Sequence, residues 1–158
     1  MKLRKQDFLY VFVQFALFAL YIVDIIEWKF NTSVWLRYSG VLLVILGGLT
    51  CCIAVLQLNT NLSPFPTPKR GSSLIHNGVF KYIRHPIYGG ILIGLLGGAL
   101  YFSSIYKMMI VLLLFVLFYF KSKYEEEWLI AVFPEYIHFR KSRGQFFPKL
   151  SVLFRLNR

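Results

Sequence analysis

Two short stretches of the chain hold the residue types that can do chemistry. In "FKYIRHPIYGG", residues 80–90, Arg84 and His85 stand directly before a proline and a glycine-laced apolar run. In "KSKYEEEWL", residues 121–129, two lysines and three carboxylates, Glu125, Glu126 and Glu127, follow another apolar run. Guanidinium, imidazole and carboxylate groups can hold a polar ligand by its own charges, and histidine can also move a proton near neutral pH. At the edge of a bilayer such groups are costly unless they pair or bind something. Blander accounts exist for each alone. Arg84 could snorkel to lipid headgroups, and the glutamates could form a solvated helix end paired with Lys121 and Lys123.

The elements that must position these clusters are apolar helices. The chain has 158 residues, 57% hydrophobic and 18% aromatic, with mean hydropathy +0.58. A soluble domain of this size could not hide that much apolar surface, and several runs approach the roughly 20 residues that cross a bilayer. The expected fold is all-α: a polytopic membrane protein forming one domain over 1–158, with spans near 8–26, 38–58, 87–104 and 107–120. The basic start of the chain resembles a signal peptide. Its apolar run is too long and no cleavage site follows, so a retained span is expected. The final Leu-Asn-Arg carries no prenylation signal.

Charge orients the spans. Net charge is +11, and with the amino terminus inside, only Lys29, Arg37 and Lys107 of the 18 lysines and arginines fall outside. Such asymmetry places both termini and the long central loop on the cytoplasmic side. Anionic headgroups account for the basic excess, so nucleic acid is not an expected partner. Asp24 and Glu27, near the outer end of the first span, are expected to face water or Lys29.

The central loop, 57–86, opens with three prolines in "PFPTP" and is stiff rather than helical. Asn77-Gly78 reads as a turn, and residues 79–83 as a short helix or irregular cap. Apolar Phe65, Leu74, Ile75, Phe80, Tyr82 and Ile83 interleave its polar residues, so the loop should pack on something. Ser103 to Tyr106 allows only a tight hairpin between spans three and four. The fourth helix should continue to Phe133 and break before Pro134. An amphipathic cap over about 135–142 then follows, with Phe139, Phe146, Phe147 and Leu150 suited to the membrane interface. Gly90, Gly94 and Gly98, with Gly89 and Gly97, favour close helix packing. Cys51 and Cys52 read as buried packing residues. His76 and His138 bring no third ligand at a metal-binding spacing, so no metal is expected. The hairpin makes the far ends of spans three and four neighbours, and so brings arginine, histidine and carboxylates together over an apolar floor.

The stretch "SSLIHNGVFKYIRHPIYGG" resembles the core motif of the isoprenylcysteine carboxyl methyltransferase and phospholipid methyltransferase family, G-[VP]-Y…RHPxYxG. Gly78, Val79, Phe80, Arg84, His85, Pro86, Tyr88 and Gly90 fill it, with Phe80 in place of tyrosine. Glu125, Glu126, Leu129, Phe133, Tyr136 and Pro148 match that family's second motif, EExxLxxxF…Y…P. The resemblance covers about 65–148, and within it 65–90 and 121–148 are the cofactor-binding elements it implies. It implies an integral membrane methyltransferase using S-adenosylmethionine, taken from the cytosol, and a lipophilic acceptor taken from the bilayer. Carried over, Ser72, Ser73, Leu74, Ile75, Phe80, His85, Pro86, Ile87 and Tyr88 contact the cofactor. Glu125 holds it, with Glu126 as the neighbouring alternative. Arg84 and His85 serve the reaction, and Lys121 falls where carboxyl methyltransferases place an arginine that binds the substrate carboxylate. Lysine there is a point charge without arginine's two-point grip, which weakens the case for a prenylcysteine carboxylate and leaves a phospholipid headgroup, a free isoprenoid acid or another small amphiphile open as acceptor.

Two rival readings differ in cofactor. A membrane reductase of the sterol type would need cations for the NADPH 2′-phosphate, which Lys69, Arg70 and Arg143 could supply. In a non-enzymatic scaffold, Arg84, His85 and Glu125 would only pair with one another. Oligomeric state is not legible.

Overall fold

The computed structural model describes residues 3–23, 25–69 and 71–149. Asp24, Arg70, Leu150 and the terminal cations Lys2, Arg155 and Arg158, all used in the sequence reading, lie outside them. The described residues form five α-helices: α1 Lys5–Val23, α2 Val34–Leu58, α3 Pro86–Tyr101, α4 Ile105–Val132 and α5 Tyr136–Ser142. Among the described residues there is no strand, only two isolated bridges.

α1, α2 and α4 are long and apolar enough to cross a membrane. Their large apolar side chains point outward, as Phe12, Leu42, Leu56 and Leu112 do. A soluble fold buries such residues, whereas lipid solvates them, so this is an integral membrane protein. α3 is shorter than the expected third span. Its 16 residues rise only about 24 Å, against a hydrocarbon core of roughly 30 Å. Pro86 starts it at a position where the missing N–H costs nothing, and Ser103, with φ +54°, turns the chain after it. Ser104 then caps α4 by accepting from the Lys107 amide at 3.2 Å. α4 runs unbroken past the bilayer-length stretch to Val132, as the lack of a breaker predicts, and stops at Phe133 before Pro134.

α2 and α3 approach closely because glycines face each other. A Cβ on Gly47 would sit 2.5 Å from the Gly90 oxygen, and one on Gly40 would sit 2.6 Å from the Gly97 oxygen. Cys51 joins this seam, with its thiol 3.4 Å from the Ile87 carbonyl, while Cys52 is exposed rather than buried. The loop between α1 and α2 is tied to the α3/α4 hairpin by backbone bonds from Phe30 to Ser103 and from Ile105 to Trp28.

The core lies between α3 and α4, around Leu92, Ile110, Val111, Leu114 and Phe118. Phe146 belongs to it, only 5% exposed, and not to the membrane interface expected for it. The reason is a backbone pairing. After α5 the chain runs beside the Arg-His-Pro motif, where the Arg84 and His85 amides each donate over 2.9 Å to the carbonyls of Gly144 and Gln145. Gly89 presents no side chain to the Phe146 carbonyl, which leaves room for the phenyl ring to drop inward.

Candidate functional site

A cavity of about 340 Å³ opens where the loop, the middle of α1, the start of α3 and the extension of α4 converge. The stiff loop forms one wall. Thr67 donates to the buried Asp7 carboxylate at 2.8 Å, and Phe65 packs edge-on against Phe8 with ring centroids 5.3 Å apart. Farther along, Asn61 donates to the Ser73 carbonyl at 3.1 Å, and Gln57 accepts from the Val79 amide at 3.0 Å beside the Gly78 turn. The short helix or cap expected over 79–83 is a 3₁₀ helix at Gly78–Lys81, which buries Phe80.

Ser72, Ser73, Leu74, Ile75, Phe80, Arg84, His85, Pro86, Ile87, Tyr88, Lys121 and Glu125 all line this one cavity. Glu126 is not among the lining residues. It is 2% exposed and its carboxylate accepts from Arg84 Nη1 at 2.7 Å, His85 Nε2 at 3.0 Å and Arg140 Nε at 3.2 Å. Adjacent positions on a helix point about 100° apart, which separates two neighbouring glutamates into different surroundings. Because a carboxylate only accepts, Nε2 of His85 carries the hydrogen and Nδ1 is turned toward Glu125, whose Oε2 lies 3.7 Å away. Tyr88 donates its hydroxyl to that same oxygen at 3.0 Å. The tyrosine ring is stacked between His85 and Phe118, at 5.5 and 4.6 Å, with Phe146 edge-on to it.

Lys121 is 1% exposed and donates to Gln14 Oε1 at 2.6 Å and to the Pro64 carbonyl at 2.9 Å. Sequence reasoning passed over Gln14, although a lone amide within an apolar span is a readable signal. It also passed over Asp7, and took Arg140 only as surface charge. Tyr136, beside the cavity on α5, has its phenol held well above the ordinary range, first by burial and then by Glu126 and Glu125. Of the cations weighed for a 2′-phosphate, Lys69 lines the cavity but its ammonium donates to the Thr60 carbonyl, and Arg143 does not line it.

Fold and site together define a helical membrane protein with a largely apolar, aromatic-walled cavity, charged at one side, at one end of its α3/α4 hairpin. The chain belongs to the phospholipid methyltransferase family, whose profile matches residues 35–136. Its fold is similar to that of the eukaryotic intramembrane Ras methyltransferase, an isoprenylcysteine carboxyl methyltransferase. The TM-score is 0.66 at 18% identity, over 94% of this chain and 54% of that one. It is also 27% identical over 126 residues to the cobalt-zinc-cadmium resistance protein CzcN of Cupriavidus metallidurans, covering 79% of this chain and 53% of that protein. The chain thus spans about half the length of both of these proteins.

Proposed function

We propose that this protein transfers a methyl group from S-adenosylmethionine to a lipophilic, membrane-associated acceptor, a carboxylate or an amine, at the cytoplasmic face. The observation that carries the reading is the convergence of the loop residues 72–75, the Arg-His-Pro-Ile-Tyr turn and Glu125 on one cavity that also holds a buried cation. Four spans with both termini cytoplasmic complete it, in line with the charge asymmetry.

The residues present fit the cofactor's chemistry. Glu125 accepts from the Tyr88 hydroxyl on one oxygen, and its other oxygen has no hydrogen-bond partner among the described residues, which leaves it to accept from an ammonium or a ribose diol. Ser72 and Ser73 bring hydroxyls, and Phe80 and Tyr88 bring aromatic faces for an adenine or a sulfonium. When bound, the cofactor supplies an electrophilic methyl group for in-line displacement. The protein's part is alignment and exclusion of water, for which Leu58, Leu62 and Ile91 keep the cavity apolar beside its charged end. A carboxylate acceptor needs no general base. For an amine acceptor, His85 Nδ1 is the nearest group able to take the proton.

Calorimetric titration of the detergent-purified protein with S-adenosylmethionine, its demethylated product and NADPH tests the reading. Micromolar binding of the two adenosyl ligands, lost in Glu125→Ala, supports it. Binding of NADPH instead, or of none of the three, rejects it.

A further inference from the structure

Gln14 and Lys121 are 107 residues apart in sequence and meet at 2.6 Å on the cavity wall. Apart from tyrosines, Gln14 is the one polar residue of α1 between Phe8 and Val23, and it is 8% exposed. A buried amide has to satisfy an oxygen and an NH₂ group. The oxygen takes Lys121, whereas the NH₂ meets no acceptor among the described residues. Lys121 shows the complementary incompleteness. Two of its three N–H groups go to neutral acceptors, Gln14 and the Pro64 carbonyl, and no carboxylate among the described residues lies within ion-pairing distance of it. Its charge is met only at longer range, by the Glu125 carboxylate and by the face of Tyr88 5.4 Å away, and it lies in a largely apolar cavity beside an amide that still has hydrogens to donate.

We infer that Gln14 and Lys121 together form a two-donor seat for an oxyanion of the methyl acceptor, with Gln14 as the specificity-determining residue. The acceptor role rests on the proposed methyl transfer; the seat itself does not. A lone lysine grips an oxyanion at one point, while arginine's fork grips it at two. The ammonium and the amide restore the second point from a different helix. A carboxylate or a phosphate fits, and a neutral or purely cationic head leaves the ammonium unpaired.

The test uses the full-length chain in zwitterionic nanodiscs, titrated with dodecanoate, dodecyl phosphate, dodecanol and dodecylamine, with empty nanodiscs subtracted. The two oxyanions should bind at least about tenfold more tightly than the other two, the worth of one charge-assisted hydrogen bond. The tighter of the pair tells a carboxylate source from a phosphate one. Gln14→Leu should weaken both oxyanions about tenfold, and Gln14→Glu, which neutralises the cation and removes the NH₂, about a hundredfold. In a Lys121→Arg background, where one guanidinium supplies both donors, Gln14→Leu should change little. Equal binding of all four probes by the unaltered chain overturns the seat without any variant. So does Gln14→Glu binding the oxyanions like the unaltered chain while still binding S-adenosylmethionine. Gln14-dependent oxyanion binding by a chain that fails to bind S-adenosylmethionine rejects methyl transfer and keeps the seat.

Discussion

His85 donates from Nε2 to the Glu126 carboxylate at 3.0 Å, and that carboxylate does not line the cavity. One ring nitrogen is thereby fixed, and the other is turned toward Glu125. Glu126 is a positioning residue in this arrangement, and Glu125 is the carboxylate that a ligand can reach. The two glutamates should therefore fail differently when altered.

Glu125→Gln should weaken S-adenosylmethionine about 10- to 100-fold in calorimetric titration, because charge-assisted hydrogen bonds become neutral ones. Its thermal unfolding should stay close to that of the unaltered protein, since the Glu125 side chain is 27% exposed and forms no tight ion pair.

Glu126→Ala should show itself in stability. It leaves Arg84, whose side chain is 10% exposed, without its counter-charge. Breaking a buried pair in this way costs about 3–5 kcal/mol, readable as a fall in unfolding midpoint.

The glycine seam offers a matched pair. Gly47→Ala places a methyl 2.5 Å from the Gly90 oxygen and should destabilise by about 1–3 kcal/mol. Gly48→Ala meets nothing within 4 Å and should be neutral, or stabilise by up to about 1 kcal/mol through helix propensity. Unfolding of the two variants side by side checks both.

Tyr136 predicts an alkaline effect. Its phenol is held well above the usual range by burial and by Glu126 and Glu125, so the folded state favours the protonated form. That contribution is fully present below the unfolded pKa of about 10 and is lost as pH rises through the higher folded value. Tyr136→Phe should therefore lose less stability than the unaltered protein between pH 9 and 11, as followed by unfolding midpoint. Its hydroxyl has no hydrogen-bond partner among the described residues, so little is forfeited at neutral pH.

The membrane class and the α3/α4 hairpin were legible because apolar length and glycine spacing are local signals. So was the meeting of the Arg-His-Pro motif with the carboxylates, which follows from a tight turn between two helices. The split between Glu125 and Glu126 was not legible, since it depends on the rotation of α4 about its axis. Phe146 was misplaced for a similar reason. Its amphiphilic neighbourhood suits an interface, and only the backbone pairing of 144–145 with Arg84 and His85 carries it into the core. Gln14 went unread because its meaning lies in a partner on another helix.

That backbone pairing also imposes an order on biosynthesis. By Val132 the ribosome has made every described helix long enough to enter a bilayer. The amides of Arg84 and His85 nevertheless find their acceptors only when Gly144 and Gln145 emerge. Insertion and maturation are thus separate events, and the last described segment to be made locks the first motif. A chain stalled or clipped just before Gly144 would carry all three described membrane-length helices and still lack the backbone pairing that holds Arg84 and His85.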